Sequence, residues 1–110
     1  MSGRDYGTNK TEQAIIKSFG GKPHKNSGRG KVKKGDGTYK GFTVDVKETK
    51  SSFTMSKSVW AKICTDSVKN NQDPMLLIVL DGGTRLAVVE FDTLDRLLDI
   101  EEQWEDEQLG

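Results

Sequence analysis

The fold of this chain is decided by the stretch Phe42-Thr43-Val44-Asp45-Val46-Lys47. Alternating apolar and polar residues are typical of a β-strand, in which successive side chains point to opposite faces. The three apolar side chains would enter the core, and Thr43, Asp45 and Lys47 would share the other face. A carboxylate that can bind a hard cation then lies beside a lysine that can orient a water, which suits phosphodiester hydrolysis. A solvated strand face with a paired Asp and Lys has the same pattern.

The composition indicates one small domain. The chain has 110 residues, of which 33% are hydrophobic and 31% are charged, so its core must be economical. Cys64 is the one cysteine, which excludes an internal disulfide and fits a reducing compartment. No apolar run is long enough for a bilayer, and the first residues lack a signal-peptide pattern. We expect a soluble intracellular protein of a prokaryotic cytoplasm or a virus-infected cell, without a membrane partner.

The charges are divided between the two parts of the chain. Residues 1–70 carry 15 Lys and Arg against 6 Asp and Glu, whereas residues 71–110 carry 2 against 11. The basic residues of the first part are interleaved with glycines, which favours a nucleic-acid-binding surface over a merely solvated one. The basic and hydroxyl side chains of this part that we expect to contact phosphates are Lys25, Ser27, Arg29, Lys31, Lys33 and Lys34.

The pattern predicts helix, three strands, helix, two strands and helix, within a single domain spanning residues 1–110. The first helix is expected over residues 10–19, and short strands over residues 22–26 and 32–36, before the central strand. Residues 1–8 are expected to be loose. This order predicts an α/β fold with a mixed five-stranded sheet flanked by helices.

The second half of the chain completes the sheet. A helix is expected from the N-cap Ser56 to about Asn70, with Cys64 in its apolar stripe. The apolar run 75–80 predicts a strand covered on both faces, and residues 85–91 predict its partner after a glycine turn. Asp92 is expected to cap a last helix, and residues 101–110 form an acidic tail.

Two further carboxylates are candidates for the same site as Asp45. Glu12 lies three and four residues before Ile15 and Ile16, so it falls on the buried stripe of the first helix. A buried carboxylate needs a partner, a metal or a cleft, although acids are also favoured in a first helical turn. Asp36 precedes Asp45 by a gap of eight residues. The Gly-Asp-Gly context of Asp36 is also a turn sequence.

The motif resembles the PD-(D/E)xK nuclease superfamily. An acid, a gap of some ten residues and an acid-x-Lys strand form its signature, which here is Asp36 followed by Asp45-Val46-Lys47. Within the superfamily, the chain is most similar to Holliday-junction resolvases of the archaeal type, which have a glutamate early in the first helix, here Glu12, and a Ser-Gly basic loop, here Ser27-Gly28. The resemblance covers about residues 8–98. Gly35 stands where the family usually has proline, and Asp45 where Glu is commoner.

The resemblance implies a restriction-endonuclease-like fold and a metal-dependent endodeoxyribonuclease that acts in DNA recombination and repair. Glu12, Asp36 and Asp45, with the carbonyl of Val46, would hold one or two Mg²⁺ ions, for which Mn²⁺ could substitute. Lys47 would orient the attacking water or stabilise the transition state, and Ser56 and Lys57 would contact a neighbouring phosphate. Paired symmetric nicks at four-way junctions would be made by a homodimer.

Two alternatives remain open from the sequence. One is another nuclease of the superfamily, acting on duplex, nicked or flap DNA. The other is a non-catalytic DNA-binding protein whose basic face accounts for its whole function.

Overall fold

The structure, a computed structural model, describes residues 9–24 and 35–109. Its elements are α1 (Asn9–Ser18), β1 (Lys22–Pro23), β2 (Gly37–Tyr39), β3 (Phe42–Thr49), α2 (Lys57–Lys69), β4 (Asp73–Leu80), β5 (Arg85–Val88) and α3 (Phe91–Leu109). The strands form one sheet in the order β1-β2-β3-β4-β5. The prediction of an α/β fold with a mixed five-stranded sheet flanked by helices is therefore confirmed.

The central strand β3 joins an antiparallel part of the sheet to a parallel pair. It pairs antiparallel with β2 across a two-residue turn, where Lys40 (φ 47°) and Gly41 (φ 87°) both have positive φ, as a type I′ hairpin requires. It pairs parallel with β4, and α2 forms the crossover between them. The antiparallel neighbour of β4 on its other side is β5.

The alternation of β3 divides its side chains between two layers. Val44 and Val46 are buried with Ile16 of α1 and Leu77 of β4. On the opposite face, Thr43 is buried and receives a hydrogen bond from Asn70 Nδ2 at the end of α2 (3.0 Å). The helices α1 and α2 therefore cover opposite faces, and Asp45, which has the parity of Thr43, is on the α2 side.

Several predicted boundaries are wrong. Of the second strand predicted over residues 32–36, residues 32–34 lie outside the described part of the chain, whereas Gly35 and Asp36 form a bend, and the strand that pairs with β3 is Gly37–Tyr39. The strand β5 ends at Val88 instead of residue 91. The carbonyl of Glu90 accepts hydrogen bonds from the N–H groups of Thr93 and Leu94, so α3 begins before Asp92. Asp92 is therefore a first-turn residue and not the cap.

The last helix continues through the acidic residues to Leu109 and leaves much of its apolar surface uncovered. Its exposed large hydrophobic residues are Phe91, Leu94, Leu97, Leu98, Ile100, Trp104 and Leu109. Thr93 is its one buried residue. No helix within residues 9–24 and 35–109 is both long and apolar enough to cross a membrane.

Candidate active site

Glu12 and Asp36 come from two elements that β3 brings together. Glu12 lies in the first turn of α1, one helical turn before the fully buried Ile16. Ile16 packs in the core with Val44 and Val46, and this contact holds α1 beside the sheet. The Glu12 carboxyl group is close enough to Asp36 for the charge of Asp36 and a hydrogen bond with it to raise the pKa of Glu12.

Asp36 is fixed by three hydrogen bonds. Its N–H donates to the carbonyl of Val44 (3.0 Å), and its carbonyl accepts from the N–H of His24 (2.9 Å). Its carboxylate Oδ2 accepts from the N–H of Val46 (2.7 Å). Because the N–H and C=O of one strand residue point to the same side, the Val46 carbonyl is directed toward this edge as well.

The two glycines beside Asp36 allow the bend. Gly35 has φ +82°, and a Cβ there would lie 2.6 Å from Thr43 Cγ2. At Gly37 a Cβ would lie 2.5 Å from Ile16 Cδ1. Proline, which fixes φ near −65°, could not adopt the conformation of Gly35.

We expect Gly35→Ala to lower the unfolding free energy by about 2 kcal/mol and to displace Asp36, because the new methyl group is both strained and crowded by Thr43. Urea unfolding measures the first effect. The second should appear in an NMR titration as a return of the Glu12 pKa toward its ordinary value. Gly82→Ala is the control, since Gly82 has φ +96° with no atom near its Cβ position. An equal loss in both variants would show that crowding at Thr43 contributes nothing.

Asp45 and Lys47 complete the cluster from β3. Lys47 Nζ lies 3.4 Å from Asp45 Oδ2. Burial raises the pKa of Asp45, and the charge of Asp36 raises it further, while Lys47 opposes the shift. The structure therefore brings Glu12, Asp36, Asp45 and Lys47 together at one end of the β2–β3 pair.

Glu12 has the most perturbed carboxyl group of the cluster. Burial and the nearby Asp36 and Asp45 raise its pKa from 4.5 to about 7, against the opposing effect of Lys47. Three carboxyl groups with this mutual repulsion have the chemistry that a hard divalent cation relieves. Within the described residues, however, no three His, Cys, Asp or Glu side chains are arranged so that they could jointly hold a metal ion. The magnesium site therefore stays a prediction. Its support is that the three carboxyl groups offer the oxygen ligands that this ion prefers.

The raised pKa of Glu12 makes stability depend on pH. Between pH 4.5 and 7 the folded state retains a proton that the unfolded state has lost, so stability falls as the pH rises through this window. We expect Glu12→Gln to unfold at the same temperature as the wild type at pH 4. At pH 8, in chelator, we expect it to be more stable by about 1 kcal/mol, a value reduced for solvent screening. Thermal unfolding at both pH values measures this.

Glu101→Gln, which removes an exposed carboxyl group from α3, is the control for that comparison. A stabilisation by Glu12→Gln of equal size at both pH values would contradict the assignment, since it would not come from ionisation.

A network of polar contacts connects the bend at Asp36 to β2, β3 and the end of α2. His24 Nδ1 lies 3.3 Å from the carbonyl of Gly35, and its Nε2 lies 2.6 Å from Thr38 Oγ1. The Gln72 side-chain carbonyl accepts from Thr38 Oγ1 (3.3 Å) and from Thr43 Oγ1 (2.8 Å). These contacts join His24 to the sheet.

The predicted phosphate contacts are only partly within the described residues. Ser56 is the N-cap of α2, and its Oγ accepts from the N–H of Val59 (3.2 Å), as the sequence indicated. Lys57 follows it and is exposed. The others lie outside the described residues: Lys25, Ser27, Arg29, Lys31, Lys33 and Lys34.

The sequence did not single out an ion pair on α2. Lys62 Nζ donates to Asp66 Oδ2 at 2.9 Å, and Asp66 is buried. An i, i+4 pair of this kind resembles an ordinary surface pair in the sequence. Only the burial of Asp66 against the sheet distinguishes it.

Comparison with known proteins identified no relative of this chain. No family model matches the chain, and neither a curated protein nor a solved structure matches it.

Proposed function

We propose that this protein is a Mg²⁺-dependent, structure-selective DNA endonuclease of the PD-(D/E)xK type, with a restriction-endonuclease-like fold. The substrate that we favour is a four-way DNA junction, which the enzyme would nick symmetrically as a Holliday-junction resolvase. The observation that carries the proposal is the meeting of Glu12, Asp36, Asp45 and Lys47, which the sequence motif associates with this chemistry.

Each residue of the cluster has a separate role in the proposed reaction. Bound Mg²⁺, or Mn²⁺ in its place, would lower the pKa of a water and neutralise charge on the phosphate. Glu12, Asp36 and Asp45, with the Val46 carbonyl, would hold the ion through oxygen atoms. Lys47, kept near Asp45, would donate hydrogen bonds to the attacking water or to a phosphate oxygen on which charge develops.

The proposed DNA surface extends from this cluster. The basic residues that precede β2 would neutralise backbone phosphates, and Lys57 with Ser56 would contact a neighbouring phosphate at the start of α2. Such contacts make affinity fall steeply with salt, so binding should be measured over a range of KCl concentrations.

A homodimer belongs to the same proposal. Two active sites related by a two-fold axis would cut opposed strands of a junction, which one chain of this size could not span. The exposed apolar side of α3 supports association, because a patch of large hydrophobic residues marks interaction surfaces.

The test is cleavage of three labelled DNAs: a four-way junction, the matching linear duplex and a flap. Each is incubated with the protein in Mg²⁺, in Mn²⁺ and in chelator. We expect paired nicks in the junction that require a divalent ion and leave 5′-phosphate ends. Cutting of duplex or flap DNA, with the junction untouched, would assign the protein to another nuclease of the superfamily.

A non-catalytic DNA-binding function is the second candidate. It is favoured by the finding that no three His, Cys, Asp or Glu side chains of the described residues are arranged so that they could hold a metal ion. Binding of all three DNAs, without cutting in either ion, would support it against the nuclease.

A further inference from the structure

The helix α2, which packs on the side of the sheet that carries Asp45, bears a lysine and a buried carboxylate. Ile63, Asp66 and Ser67 are its buried residues, so this side of the helix lies against the sheet. Lys62 extends from the margin of the same side toward solvent, and its side chain is 74% exposed, whereas that of Asp66 is 12% exposed.

The topology determines where Lys62 and Asp66 lie along the length of β3. As the crossover between parallel strands, α2 runs antiparallel to β3, and the bond from Asn70 Nδ2 to Thr43 Oγ1 fixes one end. Four helical residues rise about 6 Å, and two strand residues rise about 6.6 Å. Asp66 therefore lies level with Asp45, and Lys62 lies level with Lys47.

The electrostatics agree with this placement. The hydrogen bond with Asp66 raises the pKa of Lys62, and the charges of Asp66, Asp45 and Asp36 raise it as well, against the effect of burial. Lys62 is therefore within the field of the acid cluster, and its ammonium group remains charged.

We propose that Lys62, held by the buried Asp66, is a second lysine of the site and binds a phosphate of the substrate next to the one attacked. This inference rests on the proposed function for the identity of the substrate, but phosphate binding itself can be tested separately. Lys47 is close to Asp45. In the proposed reaction it would donate hydrogen bonds to the attacking water or to the attacked phosphate. Lys62 has three N–H donors, of which Asp66 occupies one, so the exposed remainder can contact phosphate oxygens.

Holding the lysine matters because a free lysine side chain loses much rotamer freedom on binding. The contact with Asp66 fixes Lys62 before DNA arrives. A strong, geometrically fixed phosphate contact would help to select the backbone path of the substrate.

The experiment compares Lys62→Gln with Lys69→Gln, which removes a charge two turns along the same side of α2. Binding of the four-way junction is measured in chelator by fluorescence anisotropy over a range of KCl concentrations. We expect Lys62→Gln to lower the affinity about 10-fold and to reduce the salt slope by about one, with Lys69→Gln within about two-fold of the wild type. Lys62→Arg should restore most of the affinity.

Thermal unfolding of each variant separates binding from stability. Equal binding by Lys62→Gln and the wild type, or an equal loss in Lys69→Gln, would overturn the proposal.

Cleavage by the same variants in Mg²⁺ distinguishes this inference from the proposed function. Absence of cutting by the wild type would reject the nuclease, while the binding comparison would still decide whether Lys62 contacts phosphate. If the wild type cuts, Lys62→Gln should raise KM more than it lowers kcat, because Lys62 does not touch the attacked phosphate.

Discussion

Asp45→Asn is expected to abolish cleavage of the four-way junction in Mg²⁺, a loss of at least about 10³-fold, while binding stays intact or becomes tighter. The substitution keeps the shape of the side chain but removes one of the negative charges that would hold the ion. It also removes the carboxylate that lies 3.4 Å from Lys47. Tighter binding is expected because the lost charge repelled the phosphate backbone.

Asp81→Asn is the matched control, since Asp81 is exposed in the turn between β4 and β5. Single-turnover cleavage and anisotropy measured on both variants separate chemistry from affinity. Cleavage by Asp45→Asn at the wild-type rate would mean that the reaction occurs elsewhere on the protein.

Ile16→Ala is expected to lower the unfolding free energy by about 3 kcal/mol, a large part of the stability of a small domain. Ile16 is 0% exposed and packs against Val44, Val46 and Leu77, so its loss leaves a cavity at the centre of the α1 layer. Glu12 lies one turn earlier on the same helix face, so the cavity should also loosen the Glu12 contact with Asp36.

Urea unfolding at pH 7 measures this change. The control is Val68→Ala on α2, where a similar apolar truncation affects a residue that is 74% exposed and should change stability by less than about 0.5 kcal/mol. A loss below about 1 kcal/mol for Ile16→Ala would show that the α1 layer contributes little to folding.

The parts of the fold that could be predicted are those that local rules determine. The alternation in residues 42–47 predicted a strand with Asp45 and Lys47 on one face, and both lie on β3. Ser56 was identified as an N-cap from its residue type and position, and its hydroxyl accepts the expected bond. The end of α2 at Asn70 was likewise predicted.

The remaining features depend on contacts that are distant in the sequence. The bend at Gly35 requires Thr43 to approach closely, and nothing local in Gly-Asp-Gly distinguishes it from a free turn. Lys62 and Asp66 form a common helical pair, and only the sheet beneath them makes Asp66 a buried anchor. The start of α3 depends on the Glu90 carbonyl, a backbone group that residue preferences do not reveal.

The parallel pairing of β3 with β4 affects how the protein is made. Glu12, Asp36, Asp45 and Lys47 all leave the ribosome before α2, but Leu76, the β4 partner of Asp45, follows that whole helix. Parallel pairing must wait for the crossover to close, which is slow compared with hairpin formation. The nascent chain therefore carries its acids and lysine on a strand that lacks its parallel neighbour until Leu80 has emerged.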